Sequence, residues 1–69
     1  MANSVYKVIE IVGTSTDSWE DATANAVQRA SKTLRDLRVA EVIEQDVTIE
    51  DGKVSQYRSR LSISFKYED

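Results

Sequence analysis

Neither a cysteine nor a histidine occurs among the 69 residues, and this double absence constrains the fold more than any motif does. A domain of this length buries only about 60% of the surface that its unfolded chain exposes. Small scaffolds make up the deficit with disulfides, a structural metal or oligomerisation. Without Cys there is no disulfide, and without Cys and His a structural zinc site lacks its usual ligands. Self-association is the route that remains, so residues 1–69 are expected to form a single domain that becomes stable against copies of itself.

The same absences prune chemistry. There is no Ser-His or Cys-His nucleophile pair and no imidazole to shuttle protons. A carboxylate-dependent enzyme would need two acids in contrasting environments around a cleft, and no spacing in the chain points to one. The expectation is a binding or structural protein, not an enzyme. The net charge of −3 and pI of about 4.8 argue against a nucleic-acid partner, because phosphate neutralisation needs a basic surface. No apolar run approaches the ~20 residues of a membrane span. The start, Met1-Ala2-Asn3-Ser4, lacks the basic-then-apolar pattern of a signal peptide. The expected location is the cytoplasm, with no membrane partner.

Val5 to Val12 is β-branched and largely apolar, bounded by Gly13-Thr14-Ser15, and reads as a strand buried on both faces. Ser15, Asp17 and Ser18 follow as capping residues. Ser18 to Asp21 approximates a capping box, and Asp17, Glu20 and Asp21 suit the positive end of a helix. The helix is expected over Ser18 to Asp36, with an inward stripe of Trp19, Thr23, Ala26, Ala30, Thr33 or Leu34, and Leu37. Small side chains let a helix lie close on a sheet but bury little area each, so the core is thin. Arg38 to Glu50 reads as a long strand. With strict alternation Val39, Glu41, Ile43, Gln45, Val47 and Ile49 share one face, yet neither face is cleanly apolar. Asp51-Gly52 signals a hairpin turn. Lys53 to Tyr67 returns with its odd positions, Tyr57, Leu61, Ile63, Phe65 and Tyr67, apolar. The order strand, helix, strand, strand gives an α+β class in which a three-stranded antiparallel sheet wraps one helix.

These residues carry a family likeness. Tyr6-Lys7-Val8-Ile9-Glu10-Ile11-Val12-Gly13-Thr14-Ser15, Arg29-Ala30-Ser31-Lys32-Thr33-Leu34-Arg35, Glu41-Val42, Tyr57 and Ser64-Phe65 resemble dodecins, and the match covers nearly the whole chain. The resemblance implies a β-α-β-β subunit assembled as a hollow homododecamer. It also implies a flavin ligand, FMN or riboflavin, held at twofold contacts by a stacking Trp at the start of the second strand and a hydrogen-bonding Gln on the third. Here Val39 stands at the Trp position and Arg58 at the Gln position. With Gln45, these mark the family's flavin pocket, degraded in this chain.

Ser18-Trp19-Glu20 and Arg38-Val39-Ala40-Glu41-Val42-Ile43-Glu44-Gln45-Asp46 are most similar to a subgroup, the calcium dodecins. That resemblance implies calcium in place of flavin. Hard cations take six to eight oxygens, and the chain has no EF-hand loop, so a site must be assembled across the fold or across subunits. Candidate ligands are Glu10, Asp17 and Glu20, with Asp21 nearby and Glu44, Asp46 and Glu50 on the second strand. Each also has a plainer role, as a helix-start charge or as a partner for a cross-strand Arg or Lys. Trp19 is expected to anchor a core or an interface. A cage without a physiological ligand is the remaining alternative.

Overall fold

The computed structural model describes residues 3–66. Strand β1 (Tyr6–Ser15) leads into helix α1 (Trp19–Ser31), and β2 (Leu37–Glu50) and β3 (Lys53–Lys66) follow as one long hairpin. The sheet order is β1-β3-β2, antiparallel throughout, and the helix lies on one face. The expected β-α-β-β arrangement with a three-stranded antiparallel sheet is therefore present.

β1 does not stop at Gly13. Gly13, Thr14 and Ser15 continue the ladder opposite Ser59, Arg58 and Tyr57. The glycine serves close approach, not a turn. A Cβ at position 13 would collide with the Ala22 carbonyl oxygen and lie 2.8 Å from the Ala26 Cβ. The helix thus rests almost directly on the strand backbone, and Ala22, Ala26 and Ala30 form its buried line. Ala22 replaces Trp19 and Thr23 as the innermost residue of the first turns.

The helix is shorter than the apolar spacing predicts. It ends at Ser31, where the Thr33 and Leu34 amides both turn back to the Ala30 carbonyl, at 3.2 and 2.9 Å. Asp36, at φ 57°, then swings the chain into β2. A short polar residue tolerates this left-handed geometry better than most.

β2 breaks the alternation assumed from its sequence. The register slips between Leu37 and Val39, between Val42 and Glu44, and between Thr48 and Ile49. Each extra residue reverses which face the following side chains take. Leu37, Ala40, Val42, Gln45 and Val47 consequently pair with odd, helix-facing residues of β3, while Val39, Glu41, Glu44 and Asp46 pair with even, outward ones. The mixed faces inferred from a strict period of two separate into an apolar-rich inner face and a charged outer face.

The core is thin, as expected. Its buried hydrophobic members are Ala22, Ala26, Ala30, Leu61 and Ile63, and only Leu61, Ile63 and Ser59 stand among the largest fully buried side chains. Ile9, Ile11, Val27, Leu34 and Leu37 pack around them, half-buried. The outward side chains Tyr6, Val8 and Val12 of β1 stay exposed in a single copy, so the two-sided burial expected for this strand is met on the helix side alone. Tyr67, assigned to β3 from the sequence, lies outside the described residues.

Candidate functional site

Three constellations carry the polar chemistry of the fold. The first is the helix start. The Ser18 hydroxyl caps α1 by accepting from the Asp21 amide at 2.9 Å. Asp21 does not reach back to complete a capping box. Its carboxylate instead accepts from the buried Ser15 hydroxyl at 2.7 Å and from Asn25 at 3.5 Å. The Ser15 oxygen in turn accepts from the Asp17 and Ser18 amides, at 2.9 and 3.5 Å. Ser15, at the end of β1, therefore does what the sequence assigned to Asp21. Asp17 and Glu20 extend from this turn as exposed side chains.

The second constellation joins the helix start to the hairpin. The Trp19 indole N–H donates to the Asp46 carbonyl at 3.1 Å. Its ring meets Tyr57 edge-on, with centroids 5.0 Å apart and an interplanar angle of 74°, a favoured aromatic arrangement. The buried Ser59 hydroxyl donates to the Trp19 carbonyl at 3.2 Å. Trp19 is half-buried and fixes the first turn of α1 to both long strands. Its anchoring role was legible in the sequence, but its partners were not, because they lie 27 and 40 residues downstream.

The third lies on the outer face of the sheet. Arg58 Nε is 2.8 Å from Asp46 Oδ1. Arg60 stands between Glu44, at 3.3 Å, and Glu10, at 3.8 Å. Glu44 and Asp46 thus take the cross-strand pairing role open to them in the sequence. All these side chains are partly solvated, so each pair contributes at most about 1 kcal/mol.

Against this geometry the candidate ligand residues separate. Val39 and Arg58 belong to outer-face pairs, with Ser64 and Asp46 respectively. Gln45 pairs with Ser59 and is turned to the helix side, away from the other two. Val39 is 62% exposed and offers no aromatic face. The Arg58 guanidinium is already engaged by Asp46. Among the proposed cation ligands, Asp17 and Glu20 sit together in the helix-start region, whereas Glu10 is on the outer face beside Arg60. Among the described residues, no three acidic side chains of one chain converge closely enough to hold a metal ion. Solvated carboxylates suit a hard cation, whose six to eight oxygens also come from backbone carbonyls and water. No helix among the described residues is long and apolar enough to cross a membrane.

Residues 5–68 match the family model for dodecin. The chain belongs to the dodecin family. It is 56% identical to calcium dodecin of Mycobacterium tuberculosis over 63 residues, covering 91% of this chain and 89% of that one. It is 43% identical to the dodecin of Thermus thermophilus over 65 residues, covering 94% of each. Among solved structures, dodecin from Streptomyces coelicolor superposes with a TM-score of 0.94 at 45% identity, across 100% of this chain and 99% of that chain. The M. tuberculosis calcium dodecin, described as calcium-chelating with a novel calcium-binding site, superposes with a TM-score of 0.85 at 54% identity, over 94% and 93% of the two chains. The dodecin fold thus holds over essentially the whole sequence.

Proposed function

We propose that this dodecin assembles as a hollow homododecamer that binds and sequesters calcium in the cytoplasm, and that it does so as a binding protein without catalysis. The observation that carries this reading is its 56% identity with a calcium dodecin. The geometry at the flavin positions supports it. Val39 gives up the stacking surface, and Arg58 is committed to Asp46 at 2.8 Å. A twofold pocket loses an aromatic ring twice when Trp is replaced by Val, at about 0.5–1.5 kcal/mol per stacked pair. Asp17 and Glu20 of one copy, completed by Glu10 or other oxygens of its neighbours, are the proposed calcium ligands. Val39, Arg58 and Gln45 are the remnant of a flavin pocket.

Light scattering on the purified protein should give a mass near twelve times the 7.8 kDa of one chain. Calorimetry with calcium chloride should then show saturable heat, while added FMN keeps its fluorescence. A monomer would end the assembly, and strong FMN quenching without calcium heat would reverse the choice of ligand. Failure of both titrations on an intact dodecamer would leave a cage without either ligand.

A further inference from the structure

Asp46 is held at two points. Its carbonyl accepts from the Trp19 indole at 3.1 Å, and its carboxylate accepts from Arg58 Nε at 2.8 Å. The first contact fixes the backbone from the helix side, and the second fixes the side chain on the outer face. The register shift between Val42 and Glu44 is what brings Asp46 to that face. With strict alternation from Val39 it would point to the helix. The Arg58 guanidinium therefore sits beside a carboxylate that the fold places there.

The neighbouring outward rows carry the same sign. Along β2 and β3 they run from Val39 and Ser64 through Glu41 and Ser62, then Glu44 and Arg60, to Asp46 and Arg58. Glu10 of β1 stands opposite Ser62 and approaches Arg60 at 3.8 Å. The acids Glu10, Glu41, Glu44 and Asp46 thus outnumber the two guanidiniums that they surround, and each guanidinium is already paired. A phosphate monoester would bring close to two further negative charges at pH 7. It would meet repulsion here and no unengaged Arg. An uncharged polyol meets no such penalty, because its hydroxyls can donate to these carboxylates.

We propose that Asp46 is a specificity-determining residue of this face: by holding Arg58 it keeps phosphate-bearing ligands away, so that a flavin restored to the face is taken as uncharged riboflavin in preference to FMN. The inference rests on reading Val39 and Arg58 as the remnant of a flavin pocket. It adds to the missing ring a second, electrostatic bar that acts on the ligand's charge and not on its aromatic surface. Asp46 stands at the pocket through Arg58, and Trp19 positions it there from the other side of the sheet.

Val39→Trp supplies the ring on which both flavins can be compared by fluorescence quenching. In that variant riboflavin should bind more tightly than FMN. Adding Asp46→Asn keeps the carbonyl that Trp19 needs but removes the charge on Arg58. FMN affinity should then rise by about tenfold, as for a charge pair gained at a binding surface, while riboflavin affinity changes by about twofold or less. The FMN gain should shrink at high salt and vanish when Arg58→Gln is added. Circular dichroism of each variant checks that the subunit has folded. A tighter grip on FMN than on riboflavin by Val39→Trp alone would overturn the inference, and so would equal gains for both flavins on Asp46→Asn. If Val39→Trp quenches neither flavin, the pocket reading fails and calorimetry with inorganic pyrophosphate decides the inference by itself. Binding by Asp46→Asn that is absent from wild type and from Asp46→Asn with Arg58→Gln supports it; no binding by Asp46→Asn, or equal binding by wild type, overturns it.

Discussion

The indole nitrogen of Trp19 and the carbonyl oxygen of Asp46 are 3.1 Å apart, tying the first helical turn to the middle of the long hairpin. Asp46 also holds Arg58 through its side chain, so its backbone and its carboxylate serve opposite faces of the sheet. Trp19→Phe keeps an aromatic edge for Tyr57 but leaves this carbonyl without its donor. The expected loss is about 1 kcal/mol, the net value of an ordinary hydrogen bond. Trp19→Ala removes the ring contact as well and should cost more, about 2–3 kcal/mol, below the range for fully buried aromatics because Trp19 is only half-buried. Urea melts of the two variants at equal protein concentration give the comparison. Equal midpoints for wild type and Trp19→Ala would remove the anchoring role.

Gly13 makes a sharper prediction. Its conformation is ordinary, yet the space above it is taken by the Ala22 carbonyl and the Ala26 methyl. One of these neighbours is backbone in the middle of a helix and cannot rotate away. Gly13→Ala must lift α1 off the sheet, opening the contact that buries Ala22, Ala26 and Ala30. Overpacking costs about 1–3 kcal/mol, and a domain of 60–100 residues loses about 4–8 °C in Tm per kcal/mol. A drop of about 4–24 °C is expected by calorimetry. An unchanged Tm would mean that the helix does not lie this close.

The sequence showed the parts of the fold that depend on local pattern. β-branched runs, the Ser18 cap and the Asp51-Gly52 turn, where both residues have positive φ, all appear where the chain chemistry places them. What escaped was set by contacts distant in sequence. Gly13 reads as punctuation until a helix is laid over it. The bulges of β2 leave no signature in Arg38 or Ile43, yet they decide that Val39 and Asp46 share a face and that Gln45 does not. The family likeness marks Val39, Arg58 and Gln45 as positions of a pocket at a twofold contact between copies; within one chain the register puts Val39 and Arg58 on the outer face and Gln45 on the helix side. The ion pairs of Arg58 and Arg60 needed the hairpin register before their partners could be named.

If loss of the aromatic surface is what disfavours flavin, restoring it should bring flavin back. Val39→Trp with Arg58→Gln returns the stacking ring and the amide, and frees Asp46 from a guanidinium. Two stacked pairs per twofold pocket are worth about 1–3 kcal/mol in total, roughly a 5- to 150-fold gain in FMN affinity. Quenching of FMN fluorescence reads this directly. The gain should come chiefly from Val39→Trp, because Arg58→Gln alone adds no ring. A double variant that quenches no better than wild type would show that the rest of the pocket no longer fits an isoalloxazine.

Calcium should stabilise the assembly by an amount that rises with the logarithm of its free concentration above Kd. A ligand at 100 times its Kd adds about 2.7 kcal/mol per site if it binds only the folded state. Removing calcium with a chelator should therefore lower the melting temperature, and returning calcium in excess should restore it. Asp17→Asn and Glu20→Gln keep side-chain size and remove two charges from the helix start. Both lie near the positive end of the helix dipole, where each carboxylate already contributes about 0.3–1 kcal/mol. The metal-free double variant should consequently melt slightly below the metal-free wild type. The decisive quantity is the further rise on adding calcium, which the dipole cannot supply. Wild type should show that rise and the double variant should lose most of it. An equal rise in both would place the cation away from Asp17 and Glu20 and turn attention to the outer-face acids Glu10 and Glu44, where Arg60 competes for the same oxygens.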